Sequence, residues 1–232
     1  MIAALVAVAV AGAPVEGQHP QVPVATGGYA YQLHLPKGYA ADAKARWPLM
    51  IFLHGSGERG SDLDQVKVHG PPKVAGRNPA FPFVLVSPQL PADQDWDIAK
   101  LNAILAASLK SLSVDPARIY LTGLSRGGHA TWRWAAAEPK RFAAIAPVAG
   151  RGEVATACAL KATPVWAFHG DRDDVVTPEG SFAMARAIRA CGGQPRLTIY
   201  PDLGHNSWDP AYDDPALYLW LLSHRTRTKD NK

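Results

Sequence analysis

Short and almost wholly apolar runs recur along most of this chain, and polar or glycine-containing segments separate them. The runs lie at residues 49–53, 83–86, 119–121, 142–148, 165–168 and 197–200. Continuous apolar runs of this length are typical of strands that are covered on both faces, as the strands of a parallel sheet are. The pattern therefore predicts a buried parallel sheet.

Helical segments lie between several of these runs. Between residues 98 and 112, leucine and isoleucine recur at three- and four-residue steps, which places them on one face of a helix. A second helix is predicted from Pro178, which suits a first helical turn, to residue 190. Residues 217–222 predict a closing helix. Because strands that alternate with helices form parallel crossover units, we expect an α/β fold with helices on both faces of a mostly parallel central sheet.

The first part of the chain is less regular. Apolar and polar positions alternate from residue 29 to residue 35, which predicts an edge strand that ends at Pro36. Residues 17–25 contain prolines and are predicted to be an entry segment. Residues 61–81 are polar and rich in proline and glycine, so we expect a long loop or short helices over one end of the sheet.

The length of 232 residues fits one domain of ordinary size. We place a leader segment at residues 1–22, the α/β domain at residues 26–223 and a flexible basic tail at residues 224–232. Most of the formal net charge of +4 lies in the last ten residues, which carry four basic side chains against one acidic side chain. The rest of the chain therefore has no basic face that would bind nucleic acid.

Residues 2–13 are uninterruptedly small and apolar, and polar, proline-bearing residues follow them. A bilayer-spanning helix needs about 20 such residues, so no stable membrane span is expected here. The run matches the apolar core of a secretory signal, which predicts a secreted or periplasmic protein. No Lys or Arg precedes the run, so a start further upstream or a buried segment remains open.

Two cysteines, Cys158 and Cys191, are the only ones in the sequence. In an exported protein an even pair indicates a disulfide. Two unrelated buried thiols are the alternative, and the sequence leaves both readings open. The histidines and cysteines show none of the spacings of a metal site, so we predict no metal ligands.

The pentapeptide Gly123-Leu-Ser-Arg-Gly127 follows an apolar run and precedes a predicted helix. A sharp strand-to-helix turn pushes its central side chain out of the backbone, and the flanking glycines avoid clashes there. The pentapeptide alone is common, and a chance match in a glycine-rich turn is the alternative. Its position between strand and helix favours Ser125 as a nucleophile.

A serine nucleophile needs an imidazole to take its proton and a carboxylate to orient that imidazole. Two loops that follow later strands supply them. The loop His169-Gly-Asp-Arg-Asp-Asp-Val-Val176 offers Asp171, Asp173 and Asp174, and the loop Gly204-His-Asn-Ser-Trp208 offers His205. The order Ser, Asp, His is the one expected of an α/β-hydrolase. The residues alone leave the choice among the three aspartates open.

Acyl transfer also places negative charge on the former carbonyl oxygen, which backbone N–H donors should meet. The residue after the nucleophile, Arg126, is one candidate donor. The second should come from a glycine-containing loop after an earlier strand. The loop His54-Gly-Ser-Gly57 fits, and the N–H of Ser56 is the candidate. A plain tight turn is the alternative reading of that loop.

The chain resembles α/β-hydrolases of the phospholipase/carboxylesterase and predicted-peptidase group, which are related to dienelactone hydrolases and feruloyl-type esterases. Four blocks carry the resemblance: Leu53-His-Gly-Ser-Gly-Glu-Arg-Gly60, Gly123-Leu-Ser-Arg-Gly-Gly128, the Asp173 loop and the His205 loop. The resemblance implies Asp173 as the acid, with Asp174 as the fallback, and it agrees with Ser56 as an oxyanion donor. It implies a serine hydrolase that cleaves carboxylic esters through an acyl-enzyme and needs no cofactor.

Two other functions stay open from the sequence: a secreted serine peptidase of the same fold, and a non-catalytic binding module. The expected partner is a small-molecule ester, with a short or small aromatic acyl group because no long apolar lid is present. Nothing indicates an oligomeric state.

The sequence also predicts positions or roles for several large or charged side chains near these motifs. Trp208 is predicted either to form a wall of the substrate pocket or to cover the closing helix. His129 is expected to be structural, and Glu58 and Arg59 are expected to pair with each other. Of Trp132 and Trp134, one is expected to line a surface or an interface.

Overall fold

The computed structural model describes residues 17–21, 28–39 and 44–226. Its centre is an eight-stranded sheet with the strand order β1-β2-β4-β3-β5-β6-β7-β8. The strands are β1 (Gly17–Gln21), β2 (Tyr31–Leu35), β3 (Trp47–Leu53), β4 (Val84–Pro88), β5 (Val114–Leu124), β6 (Ala144–Val148), β7 (Trp166–Gly170) and β8 (Arg196–Tyr200). β1 and β2 run antiparallel to their neighbours, and the remaining pairs are parallel.

Helices cover both faces of this sheet, as the alternating pattern predicts. They are α1 (Gly70–Arg77), α2 (Ile98–Ser111), α3 (Arg126–Ala137), α4 (Glu179–Ala190), α5 (Trp208–Asp213) and α6 (Pro215–Leu222), with 3-10 helices at Leu63–Lys67 and Val154–Leu160. Successive side chains of β3 enter different cores: Ile51 belongs to the core that contains side chains of α2, α3 and α4, whereas Phe52 belongs to the core that contains side chains of α1, α5 and α6. Since both faces of the strand are buried, its continuous apolar run is explained.

The N-terminal strands differ from the prediction. β2 is not an edge strand, because β1 pairs with one side of it and β4 with the other. All five residues of β2 are buried, including Gln32 and His34. The proline-bearing entry segment at residues 17–25 contains a strand that was not predicted, because its residues 17–21 form β1. The sheet thus begins before the predicted domain boundary at residue 26.

The expectation that Trp132 or Trp134 faces the surface is wrong, because both side chains are fully buried. Trp132 donates from Nε1 to the carbonyl of Gly150, and Trp134 donates to Oδ1 of Asn102 on α2. Helix α3 is therefore in contact with the sheet and the 3-10 helix Val154–Leu160, and through Trp134 also with α2. A helix in that position buries more than one stripe of its surface.

Cys158 and Cys191 form a disulfide, which joins the 3-10 helix Val154–Leu160 to the residue after α4. The first residues of the predicted tail are also held: Arg225 pairs with Asp115, and the N–H of Thr226 donates to the carbonyl of Ala117. The apolar run at residues 2–13 and the tail from residue 227 lie outside the described residues. Within the described part of the chain, every helix is too short or too polar to cross a bilayer.

Candidate active site

Ser125 lies at the sharp turn from β5 into α3, where the G-x-S-x-G pattern predicts it. Its backbone has φ +51° and ψ −116°, a conformation that costs free energy for a residue with a side chain. A backbone hydrogen bond and a close backbone approach hold the turn in this conformation. The N–H of Ser125 donates to the carbonyl of Val148 at 2.9 Å, and a Cβ atom on Gly127 would lie 1.8 Å from the carbonyl oxygen of Leu53. Only glycine at position 127 permits this close approach, and the turn presents Ser125 at the carboxyl edge of the sheet.

The other two predicted side chains meet Ser125 at this edge. Nε2 of His205 lies 2.9 Å from Oγ of Ser125, and Nδ1 of His205 lies 2.7 Å from Oδ2 of Asp173. An ionised carboxylate only accepts hydrogen bonds, so Nδ1 of His205 carries the proton in the neutral ring. Nε2 is then free to accept the proton of the Ser125 hydroxyl.

Asp173 is the one of the three candidate aspartates that this geometry selects. Its side chain is buried, whereas Asp171 and Asp174 are exposed. Oδ1 of Asp173 accepts hydrogen bonds from the N–H groups of Val175 and Val176, at 3.0 Å and 2.9 Å. Burial raises the pKa of this carboxyl, but the hydrogen bonds from His205 and from the backbone outweigh burial and hold the pKa below its usual range.

The loops that carry the acid and the imidazole are packed directly on each other. A Cβ atom on Gly170 would lie 2.1 Å from the carbonyl oxygen of Leu203, and the N–H of Arg172 donates to that oxygen at 3.0 Å. Backbone contact between the loops places Asp173 and His205 in register without relying on flexible side chains.

The loop after β3 passes beside Ser125. A Cβ atom on Gly55 would lie 3.5 Å from the Cβ of Ser125. The buried ring of His54 anchors this loop, since its Nε2 accepts the N–H of Leu90 at 2.9 Å and its Nδ1 donates to the carbonyl of Gly55 at 2.7 Å. The loop therefore brings Ser56, the predicted oxyanion donor, next to the nucleophile.

Arg126, the other predicted donor, is the first residue of α3. The helix makes its first backbone hydrogen bond from the N–H of His129 to the carbonyl of Ser125, at 2.9 Å. The N–H groups before His129, including that of Arg126, have no helical acceptor and point out of the helix N-terminus. The side chain of Arg126 was given no role from sequence, yet its Nε donates to Oγ of Ser56 at 2.9 Å.

The expected pair between Glu58 and Arg59 is wrong. Glu58 points inward, where its carboxylate lies 3.6 Å from Nδ1 of His54 and 3.8 Å from Nε2 of His69. Burial raises the pKa of Glu58, but the neighbouring imidazoles outweigh burial and lower it. Arg59 points outward and donates to the carbonyls of Ser56 and Ala92. Consecutive residues that face opposite directions cannot pair.

Trp208 begins α5 and lies beside His205. Its ring contacts the rings of His205 and His69 edge to face, with centroids 5.1 Å and 5.7 Å apart. His129 is bound to the backbone, because its Nδ1 accepts the N–H of Arg151 at 2.9 Å. Burial lowers the pKa of His129. In residues 17–21, 28–39 and 44–226, no group of three His, Cys, Asp or Glu side chains is placed to hold a metal ion.

Comparison with known proteins gives consistent matches. The sequence profile of the phospholipase/carboxylesterase family matches residues 73–214. The chain is 30% identical to "Putative esterase NocK" of Nocardia uniformis subsp. tsuyamanensis, over 72% of the chain and 51% of that protein. It is 27% identical to the bifunctional acetylxylan esterase/xylanase XynS20E of Neocallimastix patriciarum, over 75% of the chain and 26% of that protein. The chain thus spans about half or less of these curated relatives.

Solved structures give the same result for the fold. A thermostable esterase superposes with a TM-score of 0.75 at 28% identity, over 90% of this chain and 62% of that one. The "Putative Dienelactone Hydrolase" of Klebsiella pneumoniae subsp. pneumoniae MGH 78578 superposes with a TM-score of 0.64 at 17% identity, over 89% of this chain and 95% of that one. The second likeness shows the fold alone. Together they confirm the predicted α/β-hydrolase fold.

Proposed function

The chain belongs to the phospholipase/carboxylesterase family, and we propose that it is a serine hydrolase that cleaves carboxylic esters through an acyl-enzyme intermediate. The observation that carries the proposal is the continuous line of hydrogen bonds from Ser125 through His205 to Asp173. Esterase names among the relatives support the reaction class. The arrangement has the parts that acyl transfer needs: a nucleophile, a base and a group that orients the base.

In the acylation step, Oγ of Ser125 attacks the ester carbonyl carbon while Nε2 of His205 takes the hydroxyl proton. The tetrahedral intermediate collapses, the bond to the alkoxy oxygen breaks, and His205 returns the proton to the leaving alcohol. Asp173 keeps Nδ1 of His205 protonated and stabilises the imidazolium that forms during both transfers. Ser125 is left as an acyl ester.

In the deacylation step, water takes the place of the serine hydroxyl. His205 removes a proton from the water, the hydroxide oxygen bonds to the acyl carbon, and the bond from that carbon to Oγ of Ser125 breaks. The proton on His205 returns to Oγ, which releases the carboxylic acid and restores the free enzyme. No other reactant enters the cycle.

The backbone N–H groups of Ser56 and Arg126 are the proposed donors to the oxyanion in both steps. The position of the Ser56 loop beside Ser125 and the free N-terminus of α3 support this assignment. Removal of one such donor from a hydrolase costs about 3–4 kcal/mol of transition-state stabilisation.

Trp208 is proposed to form one wall of the substrate pocket, because its ring packs edge to face on the His205 ring. The proposed substrates are small esters with short or small aromatic acyl groups. A Trp208→Ala variant should raise KM for a p-nitrophenyl ester more than it lowers kcat, whereas a ring that only covers α6 would leave KM unchanged.

The test is fluorophosphonate labelling of the purified protein, together with hydrolysis of p-nitrophenyl butyrate. Ser125→Ala should abolish labelling and reduce kcat by roughly a million-fold. Ser61→Ala, at an exposed serine in a nearby loop, is the matched control and should label and turn over like the unaltered protein.

Three other outcomes would change the assignment. An unaltered protein that neither labels nor hydrolyses any ester would favour a non-catalytic binding module. Full activity in Ser125→Ala would mean that another residue is the nucleophile. Faster cleavage of peptide p-nitroanilides than of p-nitrophenyl butyrate would assign a serine peptidase.

The protein is also proposed to be secreted or periplasmic, on the apolar run at residues 2–13 and on the disulfide. Residues 1–22 fused to a phosphatase that folds only after export should yield active phosphatase outside the cytoplasm. The same fusion with Leu5→Arg should not. Equal activity from both fusions would contradict the proposal.

A further inference from the structure

A second imidazole lies behind the proposed catalytic acid. His169 belongs to β7 and is fully buried, with 0% of its surface exposed. Its Nε2 lies 3.1 Å from Oδ2 of Asp173 and 2.7 Å from the carbonyl oxygen of Val176. The acyl-transfer scheme above gives this ring no task, although it touches the same carboxylate oxygen as His205 does.

The carbonyl of Val176 determines which nitrogen of His169 carries a proton. A carbonyl oxygen only accepts hydrogen bonds, so the 2.7 Å contact requires a proton on Nε2 of His169. The same nitrogen lies 3.1 Å from Oδ2 of Asp173, so the N–H that donates to Val176 also lies against the carboxylate. Oδ2 of Asp173 therefore accepts the N–H of His205 and is in contact with Nε2 of His169, and Oδ1 accepts two backbone N–H groups.

The opposite side of the His169 ring is also held. Nδ1 lies 2.8 Å from Oγ of Ser181 on α4, and that hydroxyl is 3.2 Å from the carbonyl of Gly150. Whether the hydroxyl donates to Nδ1 or to the carbonyl, the proton on Nε2 stays in place. The ring thus connects α4 to the acid, and its orientation is set at both nitrogens.

We propose that His169 is a positioning residue that holds Oδ2 of Asp173 in line with His205 and moderates the basicity of the His205 ring. The inference rests on the proposed function, since it gives His169 a task only if Ser125, His205 and Asp173 perform acyl transfer. The partial positive charge on the N–H of His169 offsets part of the negative charge of Oδ2 that faces His205. Without it, Oδ2 loses this polar contact and stabilises the His205 imidazolium more strongly.

The direction of the pH effect follows from that charge. Loss of the His169 N–H leaves the negative charge of Oδ2 less offset beside His205, which favours the imidazolium, so the acid limb of kcat/KM should move to higher pH. The neighbouring charged groups stay the same in every variant below. Asp173 faces both rings, Glu179 at the start of α4 interacts electrostatically with His169, and His69 lies beyond Trp208 on the far side of His205.

Two amide variants separate the roles of the two ring nitrogens. The side-chain N–H₂ of glutamine in His169→Gln reaches the place of Nε2 and keeps an N–H group between the Val176 carbonyl and Asp173. The shorter asparagine in His169→Asn reaches only the place of Nδ1. Both are polar and both fit the volume of the ring, so a general effect of replacing a buried histidine is shared. His169→Leu is a third variant without any donor, and it supplies the comparison with His169→Gln if the asparagine variant fails to fold.

The experiment measures kcat, KM and melting temperature for p-nitrophenyl butyrate hydrolysis from pH 5 to pH 10. We expect His169→Asn to lose about 10- to 100-fold in kcat, the scale of a displaced catalytic group, with KM within about two-fold. Its acid limb should lie about half a pH unit or more above that of the unaltered enzyme. His169→Gln should stay within about five-fold in kcat and keep the original acid limb.

Equal kcat values and equal acid limbs for the asparagine and glutamine variants would overturn the inference, since a purely structural histidine makes no distinction between them. His129→Leu is the control for loss of another partly buried, backbone-bound imidazole and should leave the acid limb in place. Failure of the proposed function looks different. It would appear in the unaltered protein, as absent labelling or as activity that survives Ser125→Ala, before any His169 variant is made.

Discussion

Nε of Arg126 donates a hydrogen bond to Oγ of Ser56 across 2.9 Å, so the two residues proposed to supply oxyanion donors are also joined through their side chains. A second contact, from Nη1 of Arg126 to Oδ1 of Asp95 at 3.4 Å, fixes the other end of the guanidinium. The helix that carries the nucleophile is thus tied to the loop that follows β3. We expect this contact to set the spacing between the two backbone N–H groups.

Loss of either side chain of this contact should lower kcat while both backbone donors remain. Arg126→Met and Ser56→Ala should each reduce kcat for p-nitrophenyl butyrate by about 3- to 10-fold, less than the loss of a donor itself, with little change in KM. If the contact acts as a unit, the double variant should be no worse than the more damaging single variant. Steady-state kinetics of all four proteins measures this coupling.

Arg133→Met is the matched control for that experiment. Arg133 also lies near Asp95, with Nη1 3.7 Å from Oδ2, and it has no hydrogen bond to Ser56 among the described contacts. It should keep the kcat of the unaltered protein. Additive losses in the double variant would show that the arginine and the serine act separately.

Asp173 should be the only one of the three neighbouring aspartates that turnover requires. Asp173→Asn replaces an acceptor of the His205 N–H by an amide and favours the wrong tautomer of the ring, so kcat should fall by about 10⁴-fold. Asp171→Asn and Asp174→Asn, at exposed positions in the same loop, should stay within about two-fold. A loss in Asp174→Asn as large as in Asp173→Asn would reassign the acid.

Asp115 should make stability depend on pH in the acid range. Its carboxylate accepts hydrogen bonds from the N–H of Ala117 and from Arg118 and Arg225. Burial raises the pKa of Asp115, but these partners outweigh burial and lower it. Because the folded-state pKa lies below the unfolded value of about 3.9, the stabilisation is present above about pH 4 and is lost as pH falls through the folded-state pKa.

Asp115→Asn tests this direction of the pH dependence of stability. The variant should be less stable than the unaltered protein at pH 7, by about 1–2 kcal/mol for the lost charged hydrogen bonds, and the difference should shrink at pH 3. Thermal melts at both pH values measure it. Asp213→Asn removes an exposed carboxylate that pairs with Arg77, and its effect at pH 7 should be within about 0.5 kcal/mol. A difference that grows on acidification would contradict the assignment.

Two glycines near the site should respond very differently to a methyl group. In Gly127→Ala the new Cβ would lie 1.8 Å from a backbone oxygen that cannot move away, so we expect a protein that does not fold to the native state. In Gly57→Ala the new Cβ meets no atom within 4 Å, and the free energy of unfolding should change by no more than about 1 kcal/mol. Soluble yield and thermal melts compare them. A well-folded Gly127→Ala protein would show that β3 and α3 can separate.

The sequence predicted the loops that carry Ser125, Asp173 and His205 because the signals for them are local. A glycine pattern marks the turn, and each of the other two loops follows an apolar run directly or within a few residues. The choice of Asp173 came from the resemblance to a family, and burial against His205 is the physical reason that distinguishes it from Asp171 and Asp174.

What sequence reasoning missed depends on contacts between distant segments. β1 forms because residues 17–21 pair with β2, and no local sequence pattern predicts that pairing. Trp132 and Trp134 are both buried because α3 contacts the 3-10 helix Val154–Leu160 and, through Trp134, Asn102 of α2. His169 stood in a recognised block, yet its contact with Asp173 depends on how the chain folds back after β7. These relationships required the three-dimensional structure.

The bond between Cys158 and Cys191 also bears on how the protein is produced. A chain made in the reducing cytosol of a bacterial host keeps both thiols, whereas a chain sent to the periplasm of the same host acquires the bond. The two preparations have one sequence but different covalent structures. Kinetic constants from different laboratories are therefore comparable only when the thiol content of each preparation has been determined.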